Sequence, residues 1–118
     1  MKFPFLATID QAVLTASLQE ALDRLMKIKA EITGTPPVLV RNADWLEIYD
    51  VLDGIKENSE KVLRPAPRQL VDAYRRTRTW IREIHPRLVH EPEDGYGRQQ
   101  LEIMISRLSQ DLVQFGDS

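Results

Sequence analysis

Arg68, Arg75, Arg78 and Arg82 recur at the spacing that places side chains on one face of a helix. Guanidinium groups at successive turns, about 5 Å apart along the axis, can track the phosphates of a nucleic acid, stay solvated, or pair with carboxylates, either on the acidic face of the second helical segment of the same chain or on a partner surface. Tyr74 and Trp80 lie on the same segment and would add a stacking platform if exposed. His85, just before Pro86, reads as a residue of the last helical turn that interacts with the helix dipole and the final carbonyls. Arg76 falls apart from the row, beside Asp72 and Glu83.

Two acidic groups offer a second kind of chemistry. Glu47, Asp50, Asp53, Glu57 and Glu60 share one helical face, and closely spaced carboxylates can hold a hard divalent cation. They lie opposite an apolar stripe, however, where a solvated face is the ordinary outcome. His90, Glu91, Glu93 and Asp94 form a polar stretch before the last helical segment and read as a solvated connection. No metal or cofactor is expected.

Several reaction classes lack their residues. There is no cysteine, hence no thiolate zinc site, no cysteine nucleophile and no disulfide framework. No phosphate-binding loop of the Gly-x-x-x-x-Gly-Lys type occurs, and Gly95-Tyr96-Gly97 reads as a turn. The Glu-x-x-His pairs of di-iron bundles and the Gly-x-Ser-x-Gly elbow of hydrolases are missing as well.

With 118 residues, the chain suits one domain spanning 1–118. Its net charge of −2 excludes a globally basic nucleic-acid coat, but the balance hides segregation. Residues 64–87 hold seven cations, all arginine, against two anions, while the flanking segments are acidic. The N-terminal Met1–Asp10 stretch is interrupted by Pro4 and lacks signal-peptide quality, and no run suffices for a membrane helix. A cytoplasmic protein is expected.

Four amphipathic segments must position these groups. Residues 10–33 carry Leu14, Leu18, Ala21, Leu25, Ile28 and Ile32 in steps of four and three, with Leu22 and Met26 widening the stripe. Residues 44–63 carry Trp45, Ile48, Leu52, Ile55, Ser59 and Val62, with Asp44 and Glu47 placed for a capping box and Gly54 for a kink. Residues 67–85 carry Leu70, Ala73, Tyr74, Thr77, Ile81 and Ile84, and Pro86 is expected to close that helix. Residues 98–115 carry Leu101, Met104, Ile105, Leu108, Leu112 and Phe115. Val38-Leu39-Val40 is a candidate strand too short to found a sheet. The spacing predicts an all-α, antiparallel up-and-down four-helix bundle.

The run Arg78-Thr-Trp-Ile-Arg-Glu-Ile-His85 resembles the signature of HEPN-type helical ribonucleases, in which histidine follows arginine after about four to six residues. Arg87-Leu-Val-His90-Glu91, followed by an amphipathic helix, is similar to the end of some such domains. Thr79 stands where that family usually has Asn or Asp, and Arg87 to His90 is a shorter spacing. The resemblance implies a small, commonly dimeric bundle that cleaves RNA without metal. Arg78 would hold a phosphate while His85 moved a proton during attack by a ribose 2′-hydroxyl. Arg82 would favour neutral His85 by charge repulsion.

The leading expectation is a non-catalytic interaction module that docks a partner protein, or itself, through charged helix surfaces, with Arg68, Arg75, Arg78 and Arg82 as the partner-binding residues. Leu22 and Met26 favour a homodimer. The alternative is a HEPN-like ribonuclease or RNA-binding bundle using Arg78 and His85.

Overall fold

The computed structural model describes residues 9–34, 40–55, 64–91 and 93–115. They form helices α1 (Gln11–Ile32), α2 (Asn42–Asp53), α3 (Arg68–His90) and α4 (Gly95–Phe115), with no strand among the described residues beyond an isolated bridge between Asp10 and Pro65. Consecutive helices run antiparallel, so the architecture is the expected all-α up-and-down four-helix bundle. Val38 and Leu39 of the candidate strand lie outside the described residues, while Val40 is buried. No described helix is long and apolar enough to cross a membrane.

Entry into α1 is organised by Asp10. Its carboxylate accepts from the Ala12 and Val13 amides at 3.0 and 3.4 Å, as an N-cap does, and from the Arg64 amide at 3.3 Å. Backbone bonds from Gln11 to the Arg64 carbonyl and from Ala66 to the Ile9 carbonyl, each 2.7 Å, tie the start of α1 to the start of α3. At the same end of the bundle, Gln11 Nε2 donates to the Phe115 carbonyl of α4 at 3.0 Å. At the other end, Arg98 of α4 donates to the Ile32 carbonyl that closes α1, at 2.5 Å.

The described members of the four stripes meet in one core. Leu14, Leu18, Leu25, Trp45, Ile48, Leu70, Ile81, Leu101 and Leu108 are fully buried, and burying each such side chain favours folding by roughly 1.5–3 kcal/mol. Leu22 is also inside the core, so it provides no leftover apolar width; Met26 remains half exposed.

Four helix ends differ from the sequence expectation. Helix α2 begins at Asn42 because Arg41, not Asp44, takes the capping position. Asp44 reaches back to the Arg41 amide at 3.3 Å, while Glu47 turns to α1. It ends at Asp53 and passes through a 3₁₀ turn at Gly54 and Ile55. Glu57, Ser59, Glu60 and Val62 of the expected segment lie outside the described residues. Helix α3 does not stop at Pro86 but continues to His90. An interior proline costs about 3 kcal/mol. Continuing the helix keeps Leu88, 1% exposed, in phase with Ile84 over the core and offsets a comparable amount.

Helix α4 starts at Gly95, three residues before Arg98, because Asp94 accepts the Gly97 amide at 2.8 Å and starts the first turn. The Gly95-Tyr96-Gly97 triplet is therefore helical rather than a free turn. A Cβ at Gly97 would stand 2.9 Å from both Leu88 Cδ2 and Asp94 Oδ2, so glycine there lets α4 start against the end of α3.

Asp10→Ala should destabilise the fold by about 1–2 kcal/mol or more, since it strips an N-cap and leaves the Arg64 amide without this acceptor; urea unfolding measures it. Gly97→Ala should lower the unfolding midpoint despite the higher helix propensity of alanine. Gly54→Ala, where a Cβ meets no described atom within 4 Å and the backbone is right-handed helical, should leave the midpoint unchanged or raise it.

Candidate functional site

The arginine row divides when α3 packs. Arg68, Arg75 and Arg82 point outward and make no ion pair with a described residue. They are seven residues apart, which sets their Cα atoms about 10 Å apart along the axis. Arg78 turns toward α2, where Nη2 meets Asp53 Oδ1 at 2.6 Å; its Nε is buried without a hydrogen-bond partner among the described residues. Arg76, outside the row, pairs with Asp111 of α4.

Of the two aromatics expected near the row, Tyr74 is buried, and burial raises its hydroxyl pKa. It offers no face for stacking. Trp80 is half buried and donates from Nε1 to Gln100 Oε1 at 2.8 Å. With Arg75, Arg76, Thr79 and Glu83 it lines an open depression of about 500 Å³. The outward face of α3 thus offers spaced guanidinium groups beside a shallow, partly apolar bed.

His85 of α3 faces α2 and is engaged at both ring nitrogens and on a ring face. Its ring stacks on Trp45 with centroids 5.4 Å apart and an interplanar angle of 14°. Nε2 lies 2.6 Å from Asn42 Oδ1, and Nδ1 lies 3.2 Å from the Tyr49 hydroxyl. An amide oxygen can only accept, so Nε2 carries the proton and Nδ1 accepts from Tyr49. Burial lowers the His85 pKa below its ordinary value and favours this neutral form. The same side chain is not in a last helical turn, because α3 extends to His90. Arg78 and His85 are two turns apart, one paired with a carboxylate and the other bonded at both ring nitrogens.

The acidic face of α2 also divides between neighbours. Glu47 meets Arg24 of α1 at 2.6 Å, Asp53 meets Arg78, and Asp50 is exposed. Arg24, Lys27, Ile28, Glu31, Arg41, Asp44 and Glu47 surround a cleft of about 300 Å³ in which both signs of charge alternate. In the stretch before α4, Asp94 serves as the cap while His90, Glu91 and Glu93 are exposed. Among the described residues, no three histidine or carboxylate side chains converge to hold a metal ion.

Comparison with protein-family models, curated proteins and solved structures finds no match to this chain.

The partners of His85 come from 36 and 43 residues away, and local pattern gives no sign of them. Because the histidine is held neutral when folded and titrates near 6.5 when unfolded, it favours folding above that value. This contribution declines as the pH falls through 6.5 and levels off below the lowered folded pKa. The midpoint of thermal unfolding should therefore drop more between pH 7.5 and pH 5 in the natural protein than in a His85→Gln variant.

Proposed function

We propose that this chain is a non-catalytic helical interaction module that docks an acidic surface of a partner protein on the outward face of α3. The observation that carries this reading is the row of Arg68, Arg75 and Arg82, exposed and without a carboxylate partner among the described residues. Ion pairs occupy Arg24, Lys29, Arg76 and Arg78 at the seams between helices, whereas these three guanidinium groups face outward. Arg78, paired with Asp53, supports the row from behind rather than meeting the partner directly.

Carboxylates suit the row better than phosphates. The chain is net acidic, so its long-range field does not attract a polyanion, and a partner must recognise the arginine face locally. The buried Tyr74 withholds the stacking that single-stranded RNA recognition uses. RNA cleavage through Arg78 and His85 would require His85 to leave both Asn42 and Tyr49. A cysteine-free composition is compatible with the cytoplasm, where we place this docking.

The test compares nuclease-treated capture from a host lysate by the natural chain and by an Arg68→Ala, Arg75→Ala, Arg82→Ala variant. Cross-linking should locate the retained protein on α3. These substitutions are exposed and should shift stability by no more than about 0.5 kcal/mol each. The same protein should be retained at least about tenfold less tightly by the variant. Equal retention by both proteins would overturn the reading. So would RNA binding with a steep salt dependence, together with RNA cleavage that His85→Ala abolishes in a folded protein.

A further inference from the structure

Helix α4 has a second stripe on the side away from the core. Tyr96, Gln99, Ile103, Ser106, Gln110 and Val113 follow one another in steps of three and four, and all six are exposed. Tyr96 is 50%, Ile103 45% and Val113 77% exposed. None of the six carries a charge, in a chain of which 29% is charged. The outward faces of α2 and α3 contrast with it, since they present Asp50 and the arginine row. A shallow depression of about 340 Å³ lies at the middle of the stripe, between Glu102 on one side and Arg107 on the other.

We propose that this stripe is a homodimer seam, on which α4 of a second copy lies parallel across a twofold axis. The spacing is that of the two seam positions of a heptad, with Tyr96, Ile103 and Gln110 at the first and Gln99, Ser106 and Val113 at the second. In a parallel pair each of these residues meets its own copy. Apolar and aromatic side chains, hydroxyls and primary amides are self-complementary, because amides and hydroxyls both donate and accept. A charged residue would face its like, and none of the six is charged; at the end of the stripe the Arg87 guanidinium of α3 lies over one face of the Tyr96 ring, 4.7 Å from its centroid.

Charge fixes the direction. In a parallel pair, the residue preceding a first seam position faces the residue five places later on the partner. Glu102 of each copy then faces Arg107 of the other, twice by symmetry. Arg107 has no ion pair among the described residues, and Glu102 is 67% exposed beside its 3.3 Å contact with Lys29, so both are accessible. An antiparallel pair would set Glu102 beside Ser109 and Arg107 beside Gln100, which gives neither charge an opposite partner across the seam. The half-polar seam makes this a concentration-dependent, micromolar association rather than an obligate one.

Sedimentation equilibrium of the purified chain tests it. A monomer–dimer equilibrium is expected, weakened at least about tenfold by Ile103→Asp and at least about fivefold by Glu102→Arg or by Arg107→Glu. Mixing the last two variants should restore association, since every facing pair is then opposite in sign. The natural chain has no cysteine, so Ser106→Cys introduces the sole thiol and should form a disulfide-linked dimer under mild oxidation, whereas Ser109→Cys, off the seam, should not. A monomer at the highest soluble concentration would overturn the proposal, as would a dimer indifferent to Ile103→Asp or cross-linked equally at 109. Circular dichroism checks that each variant is folded. The Arg68/Arg75/Arg82 alanine variant should dimerise like the natural chain, which separates this result from that of the α3 surface.

Discussion

The carboxylate of Asp10 accepts amides from two parts of the chain that are 54 residues apart in sequence. By capping α1 and holding the Arg64 amide, it makes the starts of α1 and α3 coincide at one end of the bundle. Those two helices must then point the same way, and the helices that follow each of them must return. The up-and-down order, the seat of His85 beside the beginning of α2 and the closeness of Phe115 to Gln11 all depend on that alignment. A buried carboxylate is tolerated here because three backbone donors replace the water it has lost.

Charged groups are distributed with a consistent logic around this frame. Ion pairs join α1 to α2, α2 to α3, α3 to α4 and α1 to α4: Arg24 with Glu47, Asp53 with Arg78, Arg76 with Asp111, and Lys29 with Glu102. Exposed pairs of this kind stabilise by only about 0–1 kcal/mol each, so the core supplies the stability and the pairs help to set which helix lies beside which. What remains after that assignment is informative. The arginines Arg68, Arg75 and Arg82 of α3 have no ion pair among the described residues, and of the uncharged outer stripe of α4 only Tyr96 meets a neighbouring helix in a ring contact, under the Arg87 guanidinium at 4.7 Å.

The fold was largely legible because burial in a bundle follows helical periodicity, and the stripe residues named from spacing alone in α1, α3 and α4, Met26 apart, lie in or against the core. The ends were less legible because local rules compete with tertiary packing there. Pro86 has the chemistry of a terminator, yet Leu88 finds a buried place two residues later. Gly95 and Gly97 resemble turn residues, yet a cap at Asp94 and close contact with Leu88 put them in a helix. In the candidate site, the outward direction of Arg68, Arg75 and Arg82 followed from the wheel, whereas the turn of Arg78 toward Asp53 depended on which helix became its neighbour. The outer stripe of α4 was present in the sequence as spacing, but three of its six residues are polar, and a search for apolar periodicity passes over them.

Helix α2 differs from the other three in how it is held. It has 12 residues against 21 to 23 in the others, and it packs on α1 and α3. It is held by Trp45, Ile48 and Leu52 in the core and by the stacking and the Asn42 and Tyr49 bonds to one histidine of α3. On these grounds α2 is the helix expected to open first in a sub-global fluctuation, with α1, α3 and α4 the last unit to open. Amide hydrogens of α2 would then exchange with solvent sooner than those of its neighbours, and acid would widen the gap by charging the imidazole that holds it.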